Sequence, residues 1–271
     1  MHTIDKALSL LDLFSEQRPS IGLSEFARIA QFDKATTHRY LGAMLRNGLL
    51  EQDPVTRAYR LGSNLARLAC VRERTHPIEA VVQPVLMRLA NATGETAHFS
   101  MYCGEVLATL GVAESRKVQR VIIENGEPLP FHATSSGLAF LAFAAPRIVE
   151  AALAPSLKAF TPATVTDPAR IRAMLEACRR NGYATSVNGF EEGVFSIAAP
   201  VFNSGDEVCG AVSVAAPLSR KNQAAEAAIR DAVRGAAAEI TRALGGDPGK
   251  ASPAGQRARS QTGSKAVLLT N

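Results

Sequence analysis

Only three residues, Gln31 to Asp33, separate two helical patterns near the N-terminus, and so short a connection makes the two helices cross steeply. From Ser24 to Arg46 the segment reads SEFARIAQFDKATTHRYLGAMLR. Ser24 is placed as an N-cap before Glu25-Phe26-Ala27, opening a helix that runs to Ala30. Asp33 is a second N-cap, opening a helix from Lys34 to about Arg46 that Asn47-Gly48 brings to an end. Ala27 is small where the helices must touch, and Ile29, Phe32 and Leu41 are expected to fill the core between them. Upstream, Ile4, Ala7, Leu8, Leu10, Leu11 and Phe14 recur at helical spacing and predict a helix over residues 3–16, stopped by Pro19 and Gly22. Downstream, Leu49-Leu50-Glu51, the turn at Asp53-Pro54 and Tyr59-Arg60-Leu61 predict a β-hairpin. Three helices followed by a hairpin make a winged helix-turn-helix.

The second helix presents Lys34, Thr36, Thr37, His38 and Arg39 near its N-terminus, the end that enters the major groove in this motif. Short hydroxyls, Ser24 included, bond phosphates or base edges. Arg39 can pair with guanine or with a phosphate, and a helix N-terminus favours phosphate. Arg57, Tyr59 and Arg60 on the hairpin would flank the DNA backbone as a wing. Charge agrees: residues 1–75 hold eleven basic and eight acidic side chains, whereas residues 76–245 hold fifteen and sixteen. A basic module beside a neutral body suits double-stranded DNA as partner. The competing reading is a three-helix subdomain for protein contacts with a solvated, charged hairpin. A pure interaction module would leave the chain unable to shift a duplex in a gel.

Residues 63–76 read as a linker, helical over 63–74 with Leu65, Leu68 and Ala69 on one face, and ended by Pro77. From 77 to 245 the patterns predict helices near 78–92, 136–145, 147–154, 168–181 and 222–244. Strands are predicted near 95–102, 105–113, 118–124, 183–188, 194–202 and 208–216. Hairpins mixed with crossovers make this an α/β chain of the α+β kind, around a largely antiparallel sheet. Residues 246–271, rich in Gly, Ser, Pro and basic residues, are expected to be a disordered tail. The chain, 271 residues long, suits two modest domains, 1–62 and 77–245, about the linker.

No apolar run reaches the roughly 18–20 residues that cross a bilayer, and Asp5 and Lys6 interrupt any leader-like run at the N-terminus. The expectation is a cytoplasmic protein with no membrane partner. Cys70, Cys103, Cys178 and Cys209 stand alone, without CxxC or zinc spacing, and read as reduced thiols; no metal and no cofactor is expected. His98 lies in a strand without a ligand partner nearby in sequence. Motifs such as GxSxG, GxGxxG and HExxH are absent, and Glu191 and Glu192, side by side on a strand, would face opposite ways. The alternative is a hydrolase-like enzyme using Cys103, or a serine of the Ser135/Ser136–His132 cluster, which has no assignable acid; the expectation is that the chain is not an enzyme.

Taken in order, the long first helix, SEFARIA, KATTHRYLGAMLRNGLLEQD and YRLG resemble the N-terminal domain of the isocitrate-lyase-regulator (IclR) family of bacterial transcription factors. Gln31 stands where that family usually has Gly, at a left-handed turn that Gln reaches at modest cost. The likeness continues in Pro130-Phe131-His132-Ala133-Thr134-Ser135-Ser136-Gly137, in Glu191 to Phe202 and in Gly210 to Ala215, so that it spans residues 3 to about 244. It implies a GAF-like C-terminal domain binding a small effector, often an organic or aromatic acid, and a homodimer or a tetramer made as a dimer of dimers. By matched position Ser136, Gly137, Ser186, Ser196 and Ser213 are effector candidates. The residues themselves agree: Ser196 and Ser213 alternate onto one strand face, and a hydroxyl-rich loop opens a helix whose N-terminus suits a carboxylate.

Overall fold

The computed structural model describes residues 3–14, 18–75, 78–154 and 156–251, and the chain divides between residues 77 and 78 into two units. The first unit holds helices α1 (Thr3–Leu8), α2 (Leu23–Ala30), α3 (Lys34–Arg46) and α4 (Ser63–Thr75). Strands β1 (Ser20–Ile21), β2 (Leu50–Gln52) and β3 (Tyr59–Leu61) form an antiparallel sheet in the order β1-β3-β2. Its core is Leu10, Ile21, Phe26, Tyr40, Leu41, Met44, Leu50 and Tyr59, with Phe26 edge-on to Phe14 and Tyr59. Ala27 is buried as expected, whereas Ile29 and Phe32 are only half-buried.

Two expectations are corrected here. The predicted helix 3–16 stops at Leu8: the Ser9 hydroxyl donates to the Lys6 carbonyl, and the chain turns to bury Leu10 before a 3-10 turn at Leu11–Leu13. The end of that prediction, residues 15 and 16, lies outside the described residues. Ser24 is not an N-cap. Strand β1, which the sequence pattern does not reveal, pairs Ile21 with Tyr59 and runs straight into Gly22, whose carbonyl accepts from Glu25 and Phe26 and starts α2 two residues early.

In the second unit six antiparallel strands lie in the order β6-β5-β4-β9-β8-β7. They are β4 (Thr96–Tyr102), β5 (Leu107–Ala113), β6 (Pro128–Leu129), β7 (Ala184–Val187), β8 (Val194–Phe202) and β9 (Val208–Pro217). Period-two alternation sends Phe99, Ile197, Val201, Val212 and Val214 to one face, against α5 (Ile78–Thr93) and α9 (Gln223–Ala243). The opposite face meets α6 (Ser135–Phe143) and α8 (Pro168–Asn181), with α7 (Pro146–Leu153) beside them. The central strands, covered on both faces, are therefore apolar almost throughout. Polar residues on them stand out, and His98, Ser196 and Ser213 meet the first turn of α6.

The predicted strand at 118–124 does not form. Val121 is buried, but its carbonyl accepts from the Thr96 hydroxyl at 2.7 Å rather than from a neighbouring strand. The pairing falls instead to Pro128–Leu129, against Leu107 and Ala108. The tail also begins later than its composition suggests: Pro248–Ala251 is a 3-10 turn, held through Asp206, which accepts from the Asp247 amide and pairs with Lys250. The rest of the predicted tail, residues 252–271, lies outside the described residues.

Candidate functional site

Gln31 takes the left-handed conformation (φ 55°) that closes α2 and turns the chain into α3. Asp33 then caps α3 by accepting from the Thr36 amide at 2.8 Å, and that bond holds its carboxyl below the usual range. Lys34, His38 and Arg39 stand exposed on the outer face of α3, with Thr36 half-exposed. Arg39 lies over the Tyr40 ring, which steadies a long side chain that would otherwise sample many rotamers. Thr37 does not belong with them. It is fully buried, on the helix face it shares with Tyr40, Leu41 and Met44, and its hydroxyl donates to the Asp33 carbonyl at 2.9 Å. Ser24 is exposed on α2.

The hairpin tip is organised by Asp53, whose carboxylate accepts from the amides of Val55 and Thr56, and the Thr56 bond lowers its pKa. Arg57 is exposed at a left-handed position (φ 59°), its carbonyl taking a bond from Gln52. Arg60 is exposed and paired with Glu51 at 3.2 Å. Tyr59, expected on the wing surface, is instead 2% exposed and packs on Phe26. Alternation along β3 explains it: Arg60 outward puts Tyr59 inward. Arg28 and Arg46 are exposed basic residues that the sequence reasoning passed over. Arg28 lies in the last turn of α2, and Arg46 recurs two helical turns after Arg39, spacing that could have shown them.

In the second unit Thr134 caps α6, accepting from the Gly137 amide at 3.0 Å and donating to the Pro130 carbonyl. Gly137 is required there because a Cβ would strike the Phe131 backbone, and Gly189 presses as closely on Ser186 and the Ala133 carbonyl. Such contacts bring the first turn of α6 down onto the sheet. The Ser135 hydroxyl donates to Ser196 at 2.8 Å and meets Ser213 at 3.2 Å, while Ser213 donates to the Ile197 carbonyl. Ser136 meets Nε2 of His98 at 3.3 Å. Ser100 and Thr109, both fully buried, pair alongside at 3.4 Å.

Four of the five expected effector residues, Ser136, Gly137, Ser196 and Ser213, thus meet at one cluster. Ser186 borders it, donating to the Ala133 carbonyl at 2.9 Å. The sequence reasoning missed Ser135, which links Ser196 to Ser213, and His98. The signal was present in β4, where Thr96, His98 and Ser100 are polar at period two along one face.

His98 is 5% exposed. Burial alone, with no charged neighbour contributing, pushes its imidazole down to about 4, so it is neutral at pH 7. Its Nδ1 has no hydrogen-bond partner among the described residues, a state that costs about 1–3 kcal/mol when a buried polar atom is left so. His132 is a structural residue by its contacts: Nε2 lies 2.9 Å from the Lys158 carbonyl and its ring tilts over Phe160. The described residues also line a cavity of about 270 Å³ elsewhere in this unit, between α9, the end of β8 and Pro248–Ala251. Its lining, including Ala199, Phe202 and Ala237, is mostly apolar, and no set of polar groups converges on it as at the α6 turn.

Comparison with known proteins covers both units. The IclR helix-turn-helix domain matches residues 3–54, and the bacterial transcriptional regulator IclR C-terminal domain matches residues 73–242. The HTH-type transcriptional regulator BhcR of Paracoccus denitrificans is 32% identical over 242 residues, 89% of this chain and 86% of that protein. A crystal structure of an IclR transcriptional regulator from Silicibacter sp. TM1040 superposes with a TM-score of 0.84 at 44% identity, covering 90% of this chain and 97% of that one. An IclR homologue from Microbacterium hydrocarbonoxydans, crystallised with 4-hydroxybenzoate, aligns at 27% identity with a TM-score of 0.68, over 89% of this chain and 100% of its own.

Proposed function

Because the chain belongs to the IclR family of bacterial transcriptional regulators, we propose that its α3 face binds an operator while the cluster beneath α6 holds the effector that controls it. It is a DNA-binding regulator that responds to a small molecule. The observation that carries the operator reading is the outward row Lys34, His38 and Arg39 at the N-terminal half of an exposed, capped helix. Lys34, Thr36, His38 and Arg39 enter the major groove, with Ser24 toward the backbone and Arg57 and Arg60 on the wing. Thr37 and Tyr59, being core residues, support that surface from behind.

Ser136, Gly137, Ser186, Ser196 and Ser213, joined by Ser135, form the effector site. Hydroxyls and a helix N-terminus suit a carboxylate. The Microbacterium relative's 4-hydroxybenzoate supports a small organic or aromatic acid as the class. In this reading residues 1–62 read DNA, 63–76 link and 77–245 sense, and the protein works in the cytoplasm, where a bacterial regulator meets its DNA; no helix among the described residues is long and apolar enough to cross a membrane. The family points to a regulator rather than an enzyme, and among the described residues the imidazole that meets Ser136, His98, has no carboxylate on its Nδ1 of the kind a catalytic triad uses.

The protein acts as a homodimer or as a tetramer made of two such dimers. One recognition helix reads only a short half-site, and symmetry doubles it. Ile4 and Leu8 on α1 and Leu68 and Val71 on α4 are exposed apolar side chains that a second copy would cover. Effector binding shifts the balance between arrangements of the DNA-binding units, which requires unequal affinity for them.

A gel-shift series tests the operator reading, using duplexes from upstream of the protein's own gene and its neighbours. At about 0.15 M salt the wild type binds one of these well above a random duplex. Arg39→Ala loses about tenfold or more, as the removal of one bidentate base contact does. Equal affinity of the wild type for every duplex would sink the reading.

A further inference from the structure

His98 is the buried group that nothing so far employs. It sits in the middle of β4, opposite Ser213 of β9 and Val112 of β5, with its ring under the first turn of α6. Its neighbours on its own strand face are Thr96 and Ser100; from α6 it meets Ser136, next to Ser135. Beyond β4 itself, the elements around it, β5, β8, β9 and α6, carry no Asp, Glu, Lys or Arg at all. The other titratable side chain on them is Cys209, which packs toward the opposite sheet face. The flanking titratable groups are engaged: Glu95, ahead of β4, with Lys117 and Arg220, and His132, ahead of α6, with the Lys158 carbonyl.

An anion seated here would therefore be buried against hydroxyls and amide dipoles with no cation to balance it, a costly state. One side chain in the cluster can become a cation. We propose that His98 is an effector-binding residue that takes up a proton as a carboxylate seats at the first turn of α6, so that the effector enters as anion plus proton. The proton comes from solvent and no covalent bond forms. As imidazolium, His98 donates from Nε2 to Ser136 and from Nδ1, the atom now without a partner, to the bound acid. The carboxylate in turn raises the imidazole from about 4, where burial holds it in the empty cluster. The inference rests on the reading of this cluster as the effector pocket.

Linkage fixes the sign. Protons are taken up on binding at any pH between the empty and the occupied values, so affinity rises as pH falls through that window, up to tenfold per unit. The probes are acetate, lactate, benzoate and 4-hydroxybenzoate, titrated calorimetrically into the full-length protein at pH 6, 7 and 8. Each pH is run in two buffers of different ionisation enthalpy, which gives the proton count directly. The expected result for an acid that binds is an uptake approaching one proton at pH 6 and an affinity that climbs as pH is lowered from 8.

His98→Gln keeps a donor toward Ser136 but cannot ionise; it flattens the pH profile and abolishes the uptake. The wild-type measurement stands alone if that variant folds poorly. Binding without proton uptake, at one affinity from pH 6 to 8, overturns the role of His98 and leaves the pocket standing. Failure of all four acids to bind at millimolar concentration removes the carboxylate reading itself, and this inference with it.

Discussion

A side chain's role here follows from which way one backbone step points it. Thr37 and Tyr59 have the chemistry of DNA contacts, yet Thr37 shares a helix face with the core residues Tyr40, Leu41 and Met44, and Tyr59 alternates with outward Arg60 along a strand, so both face in. His98 shows the converse. In sequence it is an isolated histidine without a metal partner; in the fold it is a neutral imidazole under a helix N-terminus. Its pKa, lowered from 6.5 to about 4, makes a stability prediction. As pH falls the unfolded chain takes the proton first, so stability is full above about 6.5 and declines between 6.5 and 4. The loss attributable to this residue reaches about 3 kcal/mol at the low end. Urea unfolding of wild type and His98→Gln at pH 7 and 4.5 checks it: the variant should lose less stability on acidification. Gly137→Ala tests the close approach of α6. The added Cβ must displace the Phe131 backbone, and a melting experiment should register about 1–3 kcal/mol of destabilisation.

Caps and turns, rather than propensity, place the functional ends of the elements. α6 (SSGLAFLAF) begins with two serines and a glycine, none a strong helix former, and is fixed by Thr134. Thr134→Ala removes both the bond from the Gly137 amide and the one to Pro130, and should cost about 1–2 kcal/mol. Acid binding should weaken in the same variant, because the amides of the first turn lose their alignment; calorimetry with 4-hydroxybenzoate and thermal melts give the two readouts. At α3 the Asp33 cap does the same for the DNA-facing surface. The strands that the sequence pattern missed are those with few residues to show a period. Strand β1 has two residues, and the strand expected at 118–124 yields its pairing to the two residues of β6. Strands this short exist only because a neighbour pairs with them, and the neighbour is not local.

For the molecule as a whole, the two units have separate cores, and in the proposed homodimer the second copy would cover the exposed apolar side chains on α1 and α4. Leu68→Glu places a charge where Leu68 is now exposed, so folding should be little affected while self-association is lost. Analytical ultracentrifugation should show a shift to monomer, and operator affinity should fall with it, since each monomer holds one half-site. An unchanged sedimentation coefficient with full operator affinity would rule out α4 as the dimer surface.

The sequence by itself determined whatever is encoded within a turn or a strand of itself. Asp33 as the cap of α3, the turn at Gln31, the hairpin about Asp53-Pro54 and the long helices and strands of the second unit are all local signals, set by backbone sterics and hydrogen bonds a few residues apart. Only the tertiary structure decided what depends on residues far apart in the chain. It chose which of Thr37, His38 and Arg39 meets solvent, brought Ser135 of α6 to Ser196 of β8 and Ser213 of β9, and set His98 beneath them without a charge nearby. Burial and electrostatic environment are sums over neighbours from many segments, and no single stretch of sequence contains that sum.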